Sequence, residues 1–253
     1  MTANDFARAL ALRYGVEVPR DVGQLDAVDL ELLAVHAGHQ LADARAIDIA
    51  RWAALTFGHR LAVASSMADG VVAHLMSREL PGVHVVFLDT GFHFAETLGT
   101  RDAVAAQYPV QLVNATPLLT VAEQADRLEP DLWRNDPDTC CAIRKVEVLQ
   151  RALQPYRAWV TGLRGDETAE RVGTPVVHWD AKRHLVKINP IARWSADEVD
   201  AYVTRHAVLV NPLRQVGYRS IGCAPCTRPV TAQEGERAGR WAGRTKAECG
   251  IHQ

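Results

Sequence analysis

The chain has 253 residues, 48% of them hydrophobic, and a formal net charge of −2. That length can bury the core of one α/β domain, with or without a small appendage. Near-neutral charge excludes a global attraction to nucleic acid or membrane, and no run approaches the ~20 apolar residues that span a bilayer. The charge is uneven: residues 1–50 hold four Arg and eight acids, whereas residues 211–253 hold six Arg and one Lys against three Glu. A basic segment of that kind suits an anionic ligand, although a solvated surface has the same composition. Residues 1–20 contain acids and no apolar signal core. With five cysteines, this predicts a cytoplasmic setting in which thiols bind metal or react rather than form a disulfide framework.

Residues 1–58 read as helical, with Leu25, Val28, Leu32 and Val35 recurring at helical spacing and Gly58 placed to end the last helix. Arg60 to Ala64 is a short apolar strand, followed by Ser65-Ser66, Asp69-Gly70 and a helix from Val71 to Leu80. A strand, a tight loop and a helix N-terminus present backbone N–H groups and a positive dipole end to an anion. The same pattern also makes an ordinary strand-to-helix turn. A second strand, Val83–Leu88, ends in Asp89-Thr90-Gly91; a helix over Phe94–Tyr108 and a third strand over Val110–Asn114 follow. Strands alternating with helices predict a doubly wound, mainly parallel sheet, whose ligands sit beyond the carboxyl ends of the strands. Both Ser65-Ser66 and Leu88–Gly91 fall at such ends.

Thr120 to Leu128 predicts a short helix and Glu129 to Thr139 a polar loop. Cys140 and Cys141 lead into a helix with Ile143, Val146, Leu149 and Leu153 on one face and Lys145 one turn after the cysteines. Trp159 to Gly162 reads as a fourth strand and Leu163 to Glu167 as a charged loop. Val176–Trp179 and His184–Ile188 form a hairpin, and Ser195 with Glu198 opens a helix to about His206 through a capping box. After Asn211-Pro212 the chain is rich in glycine and proline. Something besides regular structure must hold that segment, and a metal centre would do so.

The cysteines divide into Cys140-Cys141, the C-x-x-C of Cys223 and Cys226, and Cys249. Structural zinc usually takes two C-x-x-C-like knuckles. Adjacent cysteines diverge and fit one ion poorly, whereas an iron–sulfur cube offers them separate corners. The residues tilt toward iron–sulfur and leave zinc open. Cys249 belongs to neither pair. His252 and several Arg lie near it in sequence, and positive charge raises a thiol's thiolate fraction. A mobile thiol that enters a pocket and leaves it again suits a nucleophile with two partners; an incidental exposed cysteine would look the same.

Taken in order, Ser65-Ser-Met-Ala-Asp69, Leu88-Asp-Thr-Gly91, Cys140-Cys-Ala-Ile-Arg-Lys145, Ile221-Gly-Cys-Ala-Pro-Cys-Thr-Arg-Pro229, Gly235-Glu-Arg-Ala-Gly-Arg-Trp241 and Glu248-Cys-Gly-Ile-His252 resemble the assimilatory adenylyl-sulfate reductases. These are relatives of phosphoadenylyl-sulfate reductase with an adenine nucleotide α-hydrolase-like fold. The resemblance runs from about residue 60 onward. It implies a [4Fe–4S] cluster on Cys140, Cys141, Cys223 and Cys226, and reduction of adenylyl sulfate to sulfite and AMP. The reductant would be thioredoxin, glutaredoxin or a similar dithiol, acting on an S-sulfocysteine formed at Cys249. It places Ser65, Ser66 and Asp69 in the nucleotide loop and Leu88, Asp89, Thr90 and Gly91 near base and ribose. Lys145, Arg237 and Arg240 would meet the phosphosulfate beside Cys249 and His252, with Arg164 and Arg171 bordering the nucleotide. Two departures stand out: Gly165 where the family often has a second Arg, and Asp138-Thr139 where it can carry His.

The expected division is a single reductase domain over 1–253. It comprises a helical region (1–58), a nucleotide-binding core (59–210) and a cluster-binding, catalytic segment (211–253), with self-association left open. Two competing readings remain. One is a reductase of the 3′-phosphorylated substrate. The other is a zinc-containing nucleotide-binding or ATP-pyrophosphatase protein of thiolation type, against which the absence of a Ser-Gly-Gly-x-Asp-Ser loop argues.

Overall fold

The computed structural model describes residues 2–244, 246 and 248–252. The first helices are α1 (Ala3–Tyr14), α2 (Ala27–Gln40) and α3 (Ala46–Phe57). Gly58 ends α3 with φ 48°, its N–H bonding Ala54 O. Then come β1 (Leu61–Ala64), α4 (Val71–Glu79), β2 (Val83–Leu88), α5 (Ala95–Gln107) and β3 (Val110–Ala115). Three short helices follow, α6 (Val121–Arg127), α7 (Leu132–Asn135) and α8 (Pro137–Cys141). The stretch expected to be polar loop therefore holds α7 and most of α8; Pro137 stands in the first turn of α8 and the Asp136 carboxylate caps it, accepting from Thr139 N at 3.0 Å. A π-helical turn over Ala142–Val146 carries the chain into α9 (Glu147–Leu153) and β4 (Ala158–Thr161). The hairpin is β5 (Val177–Asp180) and β6 (Leu185–Ile188), and α10 (Ala196–His206) opens with both bonds of the Ser195–Glu198 box.

The six strands form one sheet in the order β3-β2-β1-β4-β6-β5. All neighbours are parallel except β5 against β6. The chain winds outward from β1 to β3 and then returns to the other side of β1 with β4. The sheet therefore has its switch point between β1 and β4, where the crevice of such folds opens.

Strand alternation divides the core between two faces. Leu61, Val63, Val85 and Val160 pack with α2, α3 and α4, whereas Ala62, Val86 and Trp159 pack with Leu149 and Leu153 of α9. Burial on both faces explains why these strands read as continuous apolar runs. Removing a fully buried side chain such as Leu149 down to Ala costs about 2–5 kcal/mol in such a core.

One pattern reading fails in detail. The helix over 27–40 exists, but it buries Leu30, Ala34 and Ala37, leaving Val28, Leu32 and Val35 exposed. Its small residues allow close approach to the hairpin, where a Cβ on Gly38 would come within 2.5 Å of Val177 O. Close backbone packing outweighed side-chain hydrophobicity in choosing the buried face.

Candidate active site

A cavity of about 560 Å³ opens at the carboxyl ends of β1, β2 and β4. Its first wall is the loop after β1. Ser65 N donates to Val86 O at 3.1 Å, extending the sheet by one residue, and Met67 adopts φ 58° with its N–H bonding Ser65 Oγ at 3.2 Å. The loop is pinned from a distant part of the chain. Fully buried Asn211 donates to Met67 O at 3.0 Å, Gly70 N donates to Leu209 O at 2.8 Å, and Arg214 lies 3.3 Å from Asp69. Burial raises the Asp69 carboxyl pKa, with the Arg214 guanidinium pulling against that shift. Asn211 and Arg214 were not legible as site supports; the Asn-Pro step signals only a chain turn.

Ser65, Ser66, Asp69, Leu88, Thr90, Lys145, Arg164, Arg171, Arg237, Arg240, Cys249 and His252 all line this cavity. Asp89 and Gly91 do not. Asp89 lies 3.5 Å from Arg101 and accepts from Asn114 Nδ2 at 3.4 Å, while Gly91 turns the chain at φ 74°.

Most of the cavity's arginines are already paired. Arg164 lies 2.7 Å from Glu236 and 3.2 Å from Asp166. Arg171 pairs with Glu167 and with Glu248, the latter at 2.7 Å, and Glu248 also reaches Arg237 at 3.1 Å. Arg214 bridges Asp69 and Asp200. Lys145 and Arg240 have no carboxylate partner among the described residues. Arg240 stacks 4.5 Å from the Trp241 ring and donates to Ile221 O at 3.4 Å.

Close backbone approach places Arg240. A Cβ on Gly222 would stand 2.3 Å from its Nη2, and one on Gly239 would stand 2.2 Å from Arg228 O. Arg228 N bonds Gly239 O at 3.0 Å and Trp241 N bonds Cys226 O at 3.0 Å. These bonds zip the 226–230 stretch against the 237–241 stretch, so the cysteine and arginine motifs hold each other.

Cys249 is half-buried and is the one cysteine lining the large cavity. Glu248 anchors it from one side. On the other, Ile251 packs on the α9-side core, and the His252 ring stacks on Trp159 with centroids 6.0 Å apart and planes at 10°. Burial, reinforced by Lys187, Arg171, Arg237 and Arg183, holds the His252 pKa well below the usual histidine range. His252 is therefore neutral and adds no charge to the cation field around the thiol. Trp159, on the adjacent face of β4, supplies its platform; the sequence shows Trp159 only as a strand residue.

A second, smaller pocket lies behind Lys145 and is lined by Cys140, Cys141, Cys223 and Cys226, with aromatic walls from Phe92, Trp133 and Trp241. Burial pushes the Cys141 thiol up to about 12 and also raises Cys140 and Cys226. For Cys223 burial is outweighed by the Lys145 ammonium and by the Thr90 hydroxyl, 3.3 Å from its sulfur, and the thiol is lowered. Among the described residues, no three or more His, Cys, Asp or Glu side chains converge to hold a single metal ion. Four sulfurs that share a pocket without meeting at a point fit a multi-iron cluster better than one zinc.

Lys145 lines both cavities. Burial opposes its charge, but the sulfurs of Cys223, Cys249 and Cys141 outweigh it and raise the pKa. Arg144, which precedes it, is a scaffold that sequence reading left without a role. It is 3% exposed and donates to Thr90 O at 2.6 Å and Gln124 Oε1 at 2.8 Å. The π-helical turn sends these adjacent basic residues to different tasks, as such turns often do at functional sites.

A switch-point crevice with an anion-presenting loop and a basic rim defines a nucleotide-binding α/β protein. The chain belongs to the phosphoadenosine phosphosulfate reductase family, whose domain matches residues 59–229. It is 60% identical over 224 residues to the adenosine 5′-phosphosulfate reductase of Streptomyces coelicolor, covering 88% of this chain and 95% of that one. It is 49% identical over 224 residues to the enzyme of that name from Mycolicibacterium smegmatis, with the same coverage. The fold is similar to the crystal structure of phosphoadenylyl-sulfate reductase from Candida auris in its phosphate complex, with TM-score 0.66 and 28% identity, covering 79% of this chain and 97% of that one. Among the described residues no helix is long and apolar enough to cross a membrane.

Proposed function

We propose that this protein reduces adenylyl sulfate to sulfite and AMP in the cytoplasm, with Cys249 as nucleophile and a thioredoxin- or glutaredoxin-type dithiol as reductant. The chain works as one unit: residues 59–210 bind the nucleotide and residues 211–253 supply the nucleophile and half of a cluster site. The observation that carries this reading is the cavity itself. One thiol, Cys249, shares it with three cations, Lys145, Arg219 and Arg240, that have no carboxylate partner among the described residues.

Adenylyl sulfate carries an electrophilic sulfur in a mixed anhydride with the AMP phosphate. Thiolate attack on an anion is opposed by charge, and Lys145, Arg237 and Arg240 offset this at the sulfate oxygens and the departing phosphate. The Cys249 sulfur bonds the sulfate sulfur, the bridging O–S bond breaks, and AMP leaves with the bonding electrons. A dithiol then attacks Cys249 Sγ and sulfite departs with the pair of the S–S bond. The second thiol resolves the mixed disulfide, so the two electrons come from the dithiol. Ser65, Ser66 and the start of α4 hold the nucleotide, with Leu88 and Thr90 beside it and Arg164 and Arg171 at its border; Asp89 and Gly91 shape that strand end from outside the lining.

Cys140, Cys141, Cys223 and Cys226 would hold the [4Fe–4S] cluster. When bound, such a group ties the 211–230 segment to α8 and fixes the position of Lys145. The test is anaerobic turnover with each adenylyl sulfate and thioredoxin, joined to mass analysis without reductant. The expected result is AMP and sulfite, and an adduct of sulfite mass on Cys249 that dithiol removes. An adduct on any of the other four cysteines, or turnover without one, overturns the proposal.

A further inference from the structure

Among the described residues, seven Lys and Arg side chains and six carboxylates line the large cavity, leaving a small positive surplus before substrate enters. A phosphosulfate arm brings two negative charges, and a phosphate on the ribose would bring about 1.5–2 more. Three lining cations, Lys145, Arg219 and Arg240, have no carboxylate partner among the described residues, which is enough for the first and not for both. The carboxylates that set this balance are built in, not incidental. Arg164 is 8% exposed and its guanidinium is held by Glu236, another lining residue, at 2.7 Å. Asp166, its other partner at 3.2 Å, is shared with the N-terminus of α10, where it accepts from Ala196 N at 3.0 Å. Glu236 directly precedes Arg237 in the stretch that places the phosphosulfate cations, so motion of that stretch would also move the hold on Arg164.

We propose that Glu236 is a specificity-determining residue. Arg164 and Arg171 are the cavity's two deeply buried guanidiniums, and Arg171 is already held by Glu167 and Glu248. By occupying Arg164, Glu236 denies a second, ribose-borne phosphate the other one, and so selects the nucleotide with a single anionic arm. This rests on the adenylyl-sulfate reading above and deepens it. Gly165, next in the chain, removes the side chain that could have supplied a second cation at that loop. There is also no room to add one without cost, since a Cβ on Gly165 would lie 3.2 Å from Ala192 O and 3.3 Å from Arg171 O.

The test is the ratio of affinities for adenosine 3′,5′-bisphosphate and AMP, measured by calorimetry on the full chain, alongside the ratio of kcat/KM for the two adenylyl sulfates. Glu236→Gln removes the charge and keeps an oxygen acceptor, and Glu236→Ala removes both. Each should shift both ratios toward the 3′-phosphorylated ligand by about tenfold, the energy of one released charge contact. Adding Arg164→Ala to Glu236→Gln should return the ratio to its starting value. If Glu236 were only a strap between 235–241 and the 163–167 loop, both ligands would weaken together and the ratio would stay put. That result in both single variants, with AMP still bound, overturns this inference alone, as does a gain that survives Arg164→Ala. A parent protein that binds AMP but turns over neither substrate overturns the reductase reading, while the affinity ratio still decides the role of Glu236. A parent protein that binds neither nucleotide overturns both.

Discussion

The two cavities share Lys145 and little else. The larger is a crevice that the sheet makes almost by necessity: strands β1, β2 and β4 end there because the winding reverses between β1 and β4. The smaller owes nothing to the ends of the strands. Its sulfurs come from α8 and from a turn 80 residues later, and they are joined by backbone contacts such as Ala224 N to Phe92 O at 2.7 Å. A crevice of the first kind tolerates change in its lining because the strands hold it. A pocket of the second kind depends on each contributor. Substitutions should therefore separate chemistry from architecture on one side of Lys145 and fail to separate them on the other.

The largest effect is expected at Cys249. Replacing it with Ser should lower turnover by at least about 10⁴-fold, because a hydroxyl without a base neither attacks well nor undergoes thiol exchange. AMP affinity, iron content and melting temperature should stay at their starting values, since Cys249 belongs only to the crevice. Residual turnover above that bound would dissolve the distinction.

Cys223→Ser should behave in the opposite way, losing iron, activity and stability together. A loss of about 2–3 kcal/mol would lower the melting temperature by roughly 5–10 °C in a chain of this size. Iron analysis and a thermal melt on one anaerobic preparation read all three. A variant that keeps activity while losing iron would show that the small pocket does not position Lys145.

Lys145→Met tests the shared wall. It should reduce kcat/KM by about 10²-fold, the cost of one charge aimed at a developing anion, with all four cysteines intact. Glu248→Gln should act in two directions. Loosening Arg171 and Arg237 should tighten AMP binding a few-fold, while Cys249, less firmly anchored, forms its adduct about tenfold more slowly. Single-turnover rates against AMP affinity separate these, and parallel changes in both would argue that Glu248 is not the tail's anchor.

The contrast also explains what the sequence could disclose. The sheet was legible because buried parallel strands are unbroken apolar runs and because helix caps such as Ser195–Glu198 are local chemistry. The motifs containing Cys140, Cys223, Arg240 and Cys249 were legible as types. Their partners were not. Nothing near Asn211 in sequence points to Met67 O, and nothing near Glu236 or Glu248 points to Arg164 or Arg171. These are contacts between segments brought together only by the finished fold. The misread face of α2 has the same origin: the hairpin that decides it lies some 140 residues onward, and backbone proximity at Gly38 leaves no trace in hydrophobic spacing.

The smallest effect should come from a region that serves neither cavity. Asp26 begins α2, with its carboxylate accepting from Val28 N at 2.8 Å and Asp29 N at 2.9 Å, and Asp29 returns a bond to Asp26 N at 3.3 Å. Asp26→Ala leaves those N–H groups to water and should cost about 1 kcal/mol, seen as a melting temperature lower by roughly 2–4 °C. Because α2 packs on the β5–β6 hairpin and reaches neither lining, kcat, KM and iron content should not move. That outcome would show stability and chemistry to be separable when a change lies outside both cavities. A drop in kcat or in iron on the same scale as the stability loss would instead mean that the hairpin under α2 transmits strain to Trp159 and the His252 stacked on it, making the edge of the sheet part of the machinery that seats Cys249.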